Sequence, residues 1–304
     1  MFIGAMKIGY PCINLSLDCK GNRTFRLKSY SVDRLVETID NNLKCLKEML
    51  RFNVAHNILF FRITSDLVPF ASHPVCQFDW QKYFQDKFQD AGGYIRSYDI
   101  RISMHPDQFT LINSPDEEVY ERSVRELIYH SEVLDLMELD TSAKVQLHVG
   151  GVYGDKTTSM RRFVDRYNRL PDPIKRRLVI ENDDRSYTVQ DCLQVSDLSD
   201  IPFLLDSFHS EVNSSGESLT DAVSLAASTW GQNDGILMLD YSCQQKNGRK
   251  GSHSGTVNID HFRKFLQTTE LYDFDIMLEI KDKEQSAIEA VAAAIHDERF
   301  IISI

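Results

Sequence analysis

The sequence lacks the features that place a chain in a membrane or in a disulfide-stabilised class. Its longest apolar runs fall well short of the roughly 18 residues that a membrane-spanning helix needs. Residues 1–9 lack the apolar core of a signal peptide. The six cysteines form no C-x-x-C pair and no tight framework, so we expect reduced thiols packed as small core residues. These absences favour a cytoplasmic protein with no membrane partner.

Positive charge is also in short supply. The 304 residues carry 34 Lys and Arg against 45 Asp and Glu, which gives a formal net charge of −11. This balance argues against a simple basic clamp for a nucleic acid. Bound divalent cations would nevertheless cancel several carboxylates locally.

No linker, low-complexity tract or change of composition divides the chain, so we expect a single domain over residues 1–304 and a monomer. Gly9-Tyr10-Pro11-Cys12 is not a glycine-rich phosphate turn, which disfavours an open doubly wound sheet. Eight strand–helix pairs joined by short connections instead predict an α/β fold. The expected architecture is a TIM-like (β/α)8 barrel with its active site at the carboxyl ends of the strands.

Apolar runs and helical periodicity give the expected bounds of these elements. Strands are predicted at 6–10, 56–63, 100–105, 143–149, 177–180, 203–205, 236–239 and 276–278. Helices are predicted from Ser31 to about 50, at 80–98, from a cap at Ser114 to 139, at 157–169, from Thr188, from Ser218 to 229, and at 258–267 and 285–296.

Imidazole and carboxylate side chains recur where these strands end or on the loops beyond them. They are His73, His105, His148, Glu181, Asp206, His209, Asp240, His253 and Glu279. One such histidine is more often a hydrogen-bonded core residue, but nine converging groups are costly to bury unless metal charge offsets them. A set without thiolates suits manganese, zinc or iron. Nine ligands exceed what one ion needs, so we expect two or three divalent ions about 3.5–4 Å apart, an arrangement typical of phosphodiester hydrolysis.

Several of these residues also have ordinary structural interpretations. Asp206 could simply cap a helix that carries His209, and Gln108-Phe109 could pack on the barrel rim. Alternatively, an amide and an aromatic ring beyond the metals could enter a base stack. Lys246 and Arg249 lie in a loop that is either solvated or bound to phosphates. An arginine-rich segment is expected to be a solvated helix face, with contact to a nucleic-acid backbone as the alternative; it holds Arg161, Arg162, Arg166, Arg169, Lys175, Arg176 and Arg177.

At these residues the sequence resembles the UV damage endonuclease family over nearly its whole length. The resemblance rests on several ordered motifs: GYP (9–11) with Asn14, FRITS (61–65), SHP (72–74), SMHPDQ (103–108), LHVG (147–150), LVIEND (178–183), Asp206 with His209, Gly251 with His253, and MLEIK (277–281). The family is similar in architecture to endonuclease IV and to xylose-isomerase-like barrels.

The resemblance implies up to three divalent ions, manganese above all with zinc or magnesium as alternatives. It implies metal-activated water that incises double-stranded DNA immediately 5′ to cyclobutane pyrimidine dimers and 6-4 photoproducts. The implied metal ligands are His73, His105, His148, Glu181, Asp206, His209, His253 and Glu279, to which we add Asp240. Glu181, His105, Glu279 and His148 are expected to be catalytic. The expected DNA contacts are Gln108, Phe109, Tyr10, Asn14, Lys246 and Arg249.

One departure from the family pattern falls on the seventh strand. A lysine and a histidine two residues apart are expected there, and this chain has Met238 and Asp240. Asp240 can still bind a metal through oxygen, whereas Met238 cannot supply a cation.

Three other functions remain open on the same barrel: an abasic-site endonuclease of the endonuclease IV type, a metal-dependent sugar isomerase or epimerase, and a non-catalytic metal-binding protein.

Overall fold

Eight parallel strands close into a barrel in chain order, as predicted. The computed structural model describes residues 6–301. Each strand pairs with its sequence neighbours, and the last pairs with the first through Ile8 with Ile276 and Gly9 with Met277. The strands are β1 (Ile8–Pro11), β2 (Phe60–Ile63), β3 (Arg101–Met104), β4 (Lys144–His148), β5 (Leu178–Glu181), β6 (Phe203–Asp206), β7 (Leu237–Tyr241) and β8 (Phe274–Leu278).

The helices surround the barrel and shield its outer face. They are α1 (Val32–Ala55), α2 (Trp80–Tyr83), α3 (Gln85–Ser97), α4 (Glu117–Leu136), α5 (Lys156–Tyr167), α6 (Asp172–Lys175), α7 (Val189–Ser199), α8 (Ser207–Val212), α9 (Leu219–Ser228), α10 (Ile259–Thr268) and α11 (Glu284–Ala294). Within residues 6–301, no helix combines the length and the apolar character needed to cross a bilayer.

Most of the expected helix starts coincide with observed caps. Ser31, Thr188 and Ser218 each accept a hydrogen bond from the backbone of the first turn. The start of α4 was misplaced, because Asp116 rather than Ser114 accepts from the amides of the first turn. The expected helix over 80–98 is divided into α2 and α3 at Phe84.

The expected strand starts 6 and 56 were too early. His56 ends α1, where its backbone amide bonds to Phe52 and Asn53, so β2 begins only at Phe60. Short helix α6 was not predicted, and α8 was considered only as a possible helix capped by Asp206, because pieces of one or two turns carry too little periodicity to detect.

Side chains inside the barrel are arranged in layers. Phe60, Val179, Leu204, Met238 and Met277 form a buried cluster separate from the main core, which we call the apolar floor. Successive side chains of a strand point to opposite faces, so the residue two positions later lies one layer higher on the same face. Those residues, the charged layer, are Arg62, Glu181, Asp206, Asp240 and Glu279.

Two expectations about side chains outside the barrel were wrong. Cys19 and Cys45 form a disulfide that joins the loop after β1 to α1, while Cys12, Cys76, Cys192 and Cys243 are free. The expectation that all thiols are reduced therefore fails for this pair. Sequence spacing alone does not reveal which cysteines meet.

The arginine-rich segment is also not a uniformly solvated face. Arg166 and Arg177 are buried, and their guanidinium groups bond to backbone carbonyls at the start and at the end of α4. Arg161 and Arg176 are exposed, as expected. The long aliphatic stem and five donors of an arginine allow it to serve as a buried link between segments.

Candidate metal centre

Three predicted ligands from neighbouring strands meet in the first cluster. Glu181 ends β5, and its Oε1 lies 2.8 Å from Nε2 of His105 and 2.9 Å from Nδ1 of His148. One nitrogen or oxygen from each of the three residues lies within 4.8 Å of the others. Pro106 supports this geometry, because its carbonyl accepts from Nδ1 of His105 at 2.7 Å and leaves Nε2 directed at Glu181.

In this cluster the pKa shifts favour the charged forms of Glu181 and His148. Burial raises the pKa of Glu181, but His148 and His105 outweigh it and hold that pKa well below its usual range. Burial lowers the pKa of His148, yet attraction to Glu181 is stronger and raises it to about 9. In the absence of metal, this imidazole is therefore protonated at neutral pH, and it must lose that proton to become a ligand.

The second cluster joins Asp206, Asp240 and Glu279 at the ends of β6, β7 and β8. Their carboxylate oxygens also lie within 4.8 Å of one another. His253 adjoins this group, with its Nδ1 2.9 Å from the carbonyl oxygen of Glu279. The rings of His209 and His253 lie 5.5 Å apart.

Asp206 has both of the roles that the sequence left open. It caps α8, accepting from the backbone amide of His209 at 2.8 Å, and its other oxygen lies 2.9 Å from Nδ1 of His209. The helix cap therefore positions the imidazole beside the carboxylate. Burial opposes protonation of His209, but Asp206 outweighs it and raises the pKa to about 10.

Arg62 is a member of the charged layer that the sequence reasoning did not select. It is only 3% exposed, and its Nη2 lies 2.8 Å from both carboxylate oxygens of Asp240. Its Nη1 contacts Glu279, and its Nη2 also donates to Gln146 at 2.7 Å. Burial raises the pKa of Glu279, but Arg62 outweighs it and the pKa falls to about 2. A charged residue inside the apolar run of β2 was the signal that could have identified Arg62.

The donor atoms fit divalent metal ions. Nδ1 of His148 is buried and close to Glu181 but lacks a well-aligned hydrogen-bond partner. Imidazole nitrogens and carboxylate oxygens from different strands face common points, and thiolates are absent from both described clusters. The groups whose atoms meet closely enough to hold a metal ion are His105 with His148 and Glu181, and Asp206 with Asp240 and Glu279.

His73 lies outside both clusters. It is exposed on the loop after β2, where its Nδ1 accepts from the backbone amide of Val75 at 3.0 Å. Its assignment as a ligand is therefore not supported by the geometry of residues 6–301.

The predicted DNA contacts fall into two groups. Gln108 and Phe109 are exposed just beyond His105, and Phe109 remains 64% accessible. Lys246 and Arg249 are exposed on the loop that leads to His253. These four side chains are free to contact a large substrate.

Tyr10 and Asn14 belong to the second group, and their burial does not support their assignment to the lesion side. Tyr10 is fully buried between β1 and α1, where its hydroxyl donates to Asn53 at 2.7 Å. Asn14 is buried and donates to that hydroxyl at 2.9 Å, while its oxygen accepts from two loop amides. Tyr10 faces outward from β1, toward the helices, and cannot line a surface inside the barrel mouth.

A comparison with known families identifies the chain. The profile of the family described as UV-endonuclease UvdE matches residues 6–300. The chain belongs to this UV-endonuclease family. A relative named UV DNA damage endonuclease, from Clostridium perfringens strain 13, is 39% identical over 288 residues, which cover 94% of this chain and 70% of that protein.

Solved structures agree with the family assignment. The crystal structure of SacUVDE superimposes with a TM-score of 0.92 at 42% identity, covering 95% of this chain and 98% of that one. Endonuclease IV from Thermus thermophilus matches with a TM-score of 0.56 at 13% identity, over 80% of this chain and 90% of that one, and shows the shared fold alone.

The departure from the UV-endonuclease pattern on the seventh strand has a structural counterpart. Met238 lies in the apolar floor, in contact with other apolar side chains, and Asp240 lies above it against Arg62. Burial raises the pKa of Asp240, and the two contacts with the guanidinium of Arg62 oppose that rise and favour the carboxylate. This strand therefore contributes a deeply buried carboxylate that is already paired.

Proposed function

We propose that this chain is a metal-dependent DNA repair endonuclease that nicks duplex DNA immediately 5′ to UV photoproducts, namely cyclobutane pyrimidine dimers and 6-4 photoproducts. The observation that carries the proposal is the convergence of His105, His148, Glu181, Asp206 and Glu279 at the carboxyl ends of five strands in a chain of the UV-endonuclease family. We propose manganese as the metal, with zinc or magnesium as alternatives.

The residues of the chain prepare the site for phosphodiester hydrolysis. Divalent ions held by the two clusters would supply an activated water and neutralise negative charge on the attacked phosphodiester. Glu181 lies between His105 and His148 with its Oε1, and its Oε2 accepts from Gln146. The two imidazoles and the amide therefore fix the orientation of this carboxylate, which would serve as a metal ligand.

The exposed groups at the rim suit recognition of damaged duplex DNA. Asp107 accepts from the amide of Phe109 at 2.8 Å, and this turn presents Gln108 and Phe109 to solvent. An aromatic ring and an amide can fill the space left when bases leave the stack. Lys246 and Arg249 lie on another part of the rim, on the loop that leads to His253, and suit contacts with phosphates.

A lesion panel tests the proposed activity. Protein loaded with Mn²⁺ is incubated with end-labelled duplexes that carry a defined pyrimidine dimer, a 6-4 photoproduct, an abasic site or no damage. We expect a single nick 5′ to each photoproduct, lost on chelation. Strong preference for the abasic duplex would instead favour the endonuclease IV type of activity, and equal nicking of undamaged DNA would overturn the proposal.

Glu181→Gln tests the role of the shared carboxylate. We expect at least about a 100-fold loss of incision with an unchanged circular dichroism spectrum, because a ligating anion is lost. Glu289→Gln is the matched control, since Glu289 is exposed on α11. Full activity of the Glu181 variant would contradict its assignment.

Alanine replacement of Gln108 and Phe109 tests the proposed contact with the lesion. Affinity for a duplex containing a dimer should fall, while the number of bound metal ions should not change, because both side chains lie outside the clusters. Unchanged affinity would favour a function that needs no DNA wedge, such as sugar epimerisation.

A further inference from the structure

We infer that Arg62 acts as a permanent internal cation of the metal centre and that Asp240 is its counter-ion rather than a metal ligand, so that the site holds two divalent ions and not three. The inference rests on the proposed metal dependence, but it concerns the number of ions and the positioning of their ligands.

The contacts of Asp240 leave it little capacity for a metal. Both of its oxygens lie 2.8 Å from Nη2 of Arg62, and one of them also accepts from Gln146 at 2.5 Å. Asp240 is completely buried. A metal ion at Asp240 would have to displace the guanidinium of Arg62, and that residue is itself only 3% exposed.

Arg62 also controls the carboxylates on either side. Its Nη1 contacts Glu279, and Gln146, which accepts from its Nη2, donates to Glu181. One guanidinium thus touches Asp240 and Glu279 and reaches Glu181 through a single amide. Such a rigid, planar donor holds the carboxylates of Asp240 and Glu279 in fixed positions relative to each other.

The remaining donors suffice for two ions. Without Asp240, the first cluster keeps His105, His148 and Glu181. The second keeps Asp206 and Glu279, with His209 beside Asp206 and His253 beside Glu279. Both sets retain mixed imidazole and carboxylate ligands.

The balance of charge in the barrel also favours two divalent ions. The charged layer contains four carboxylates, namely Glu181, Asp206, Asp240 and Glu279, and Arg62 offsets one of them. Two divalent ions then exceed the three remaining negative charges by one, which suits the approach of a phosphodiester. A third ion would add two more positive charges in a space where a guanidinium already lies.

Metal counting tests this inference. The proteins are equilibrated with the same free Mn²⁺, separated from excess metal, and measured by plasma mass spectrometry and by calorimetric titration. We expect two ions per chain in the unaltered protein and in Asp240→Asn, and a loss of metal in Asp206→Asn. Three ions in the unaltered protein, or one ion fewer in Asp240→Asn, would overturn the inference.

Substitution of Arg62 gives an independent readout. Arg62→Met leaves Asp240 and Glu279 without a counter-ion, so we expect one additional Mn²⁺ per chain, whereas Arg62→Lys keeps a cation and should remain at two. An unchanged count in a folded Arg62→Met protein would contradict the inference, and the Asp240→Asn count decides the question if this variant does not fold. Two ions in a protein that does not nick irradiated DNA would refute the proposed activity and leave the role of Arg62 intact.

Discussion

Replacement of Arg177 tests whether a buried arginine fastens the helical layer to the barrel. Its guanidinium bonds to Asp135 at 2.5 Å and to the carbonyl oxygens of Asp140, Ala143 and Leu139 at 2.8, 3.1 and 2.8 Å. One side chain therefore satisfies the backbone of the turn between α4 and β4. Arg177→Ala removes the cation, so that these acceptors can accept hydrogen bonds only from water.

The expected loss in the free energy of unfolding follows from the acceptors that Arg177→Ala leaves without a donor. A buried acceptor in that position costs about 1–3 kcal/mol, and Asp135 is partly exposed and can be resolvated. Allowing for water at the turn, we expect Arg177→Ala to lower the free energy of unfolding by about 3–4 kcal/mol. Arg176→Ala is the matched control, because the preceding arginine is exposed, and we expect a change within about 0.5 kcal/mol.

The assay is urea denaturation followed by far-ultraviolet circular dichroism and by tryptophan fluorescence. Both probes must give the same midpoint for the comparison to hold. Arg177→Lys should recover only part of the loss, since a single ammonium cannot reach all the acceptors. Equal effects of the Arg176 and Arg177 alanine variants would refute the reasoning, because burial would then not distinguish them.

Three further predictions concern stability. Gly9→Ala would place a Cβ 1.9 Å from the carbonyl oxygen of Phe60 and should cost at least about 3 kcal/mol, whereas Gly93→Ala meets no atom within 4 Å and should be neutral or stabilising in urea denaturation. Burial lowers the pKa of His130 to about 4, so between pH 6.5 and 4 the unfolded chain binds more protons and stability falls as the pH falls, by about 3 kcal/mol in total. His130→Gln should flatten that dependence in denaturation at pH 7 and pH 5. Chelation of the loaded protein should lower its melting temperature, by an amount equivalent to about 3 kcal/mol for each bound ion if the metal was present at about 100 times its dissociation constant; an unchanged melting temperature would contradict binding at the two clusters.

The barrel and the convergence of most candidate ligands could be predicted because both depend on short-range pattern. Glu181 and Asp206 end buried apolar runs, and a charged group directly after such a run must lie at the strand's carboxyl end. His148 follows from the same rule on β4. Parallel neighbours then bring these residues to one rim regardless of how far apart they are in the sequence.

Arg62 and Tyr10 could not be placed by that rule. Both lie in strands whose two faces are buried, so hydrophobic alternation does not show which residues point inward. Only the pairing of Gly9 with Phe60 and of Pro11 with Arg62 shows which residues of these two strands point into the barrel. Tyr10, between those positions, points outward, which explains why its predicted contact with a lesion fails and why the role of Arg62 was missed.

The layered interior limits how the sequence of this protein can change in evolution. Each member of the charged layer is separated by one residue from a member of the apolar floor, on a strand tied to two neighbours by backbone hydrogen bonds. The spacing of the proposed metal-binding groups is therefore set by the core and is difficult to alter without unfolding the barrel. Divergence in the choice of nucleic acid lesion should accumulate in the loops that carry Phe109 and Arg249, where sequence changes leave the ladder of strands undisturbed.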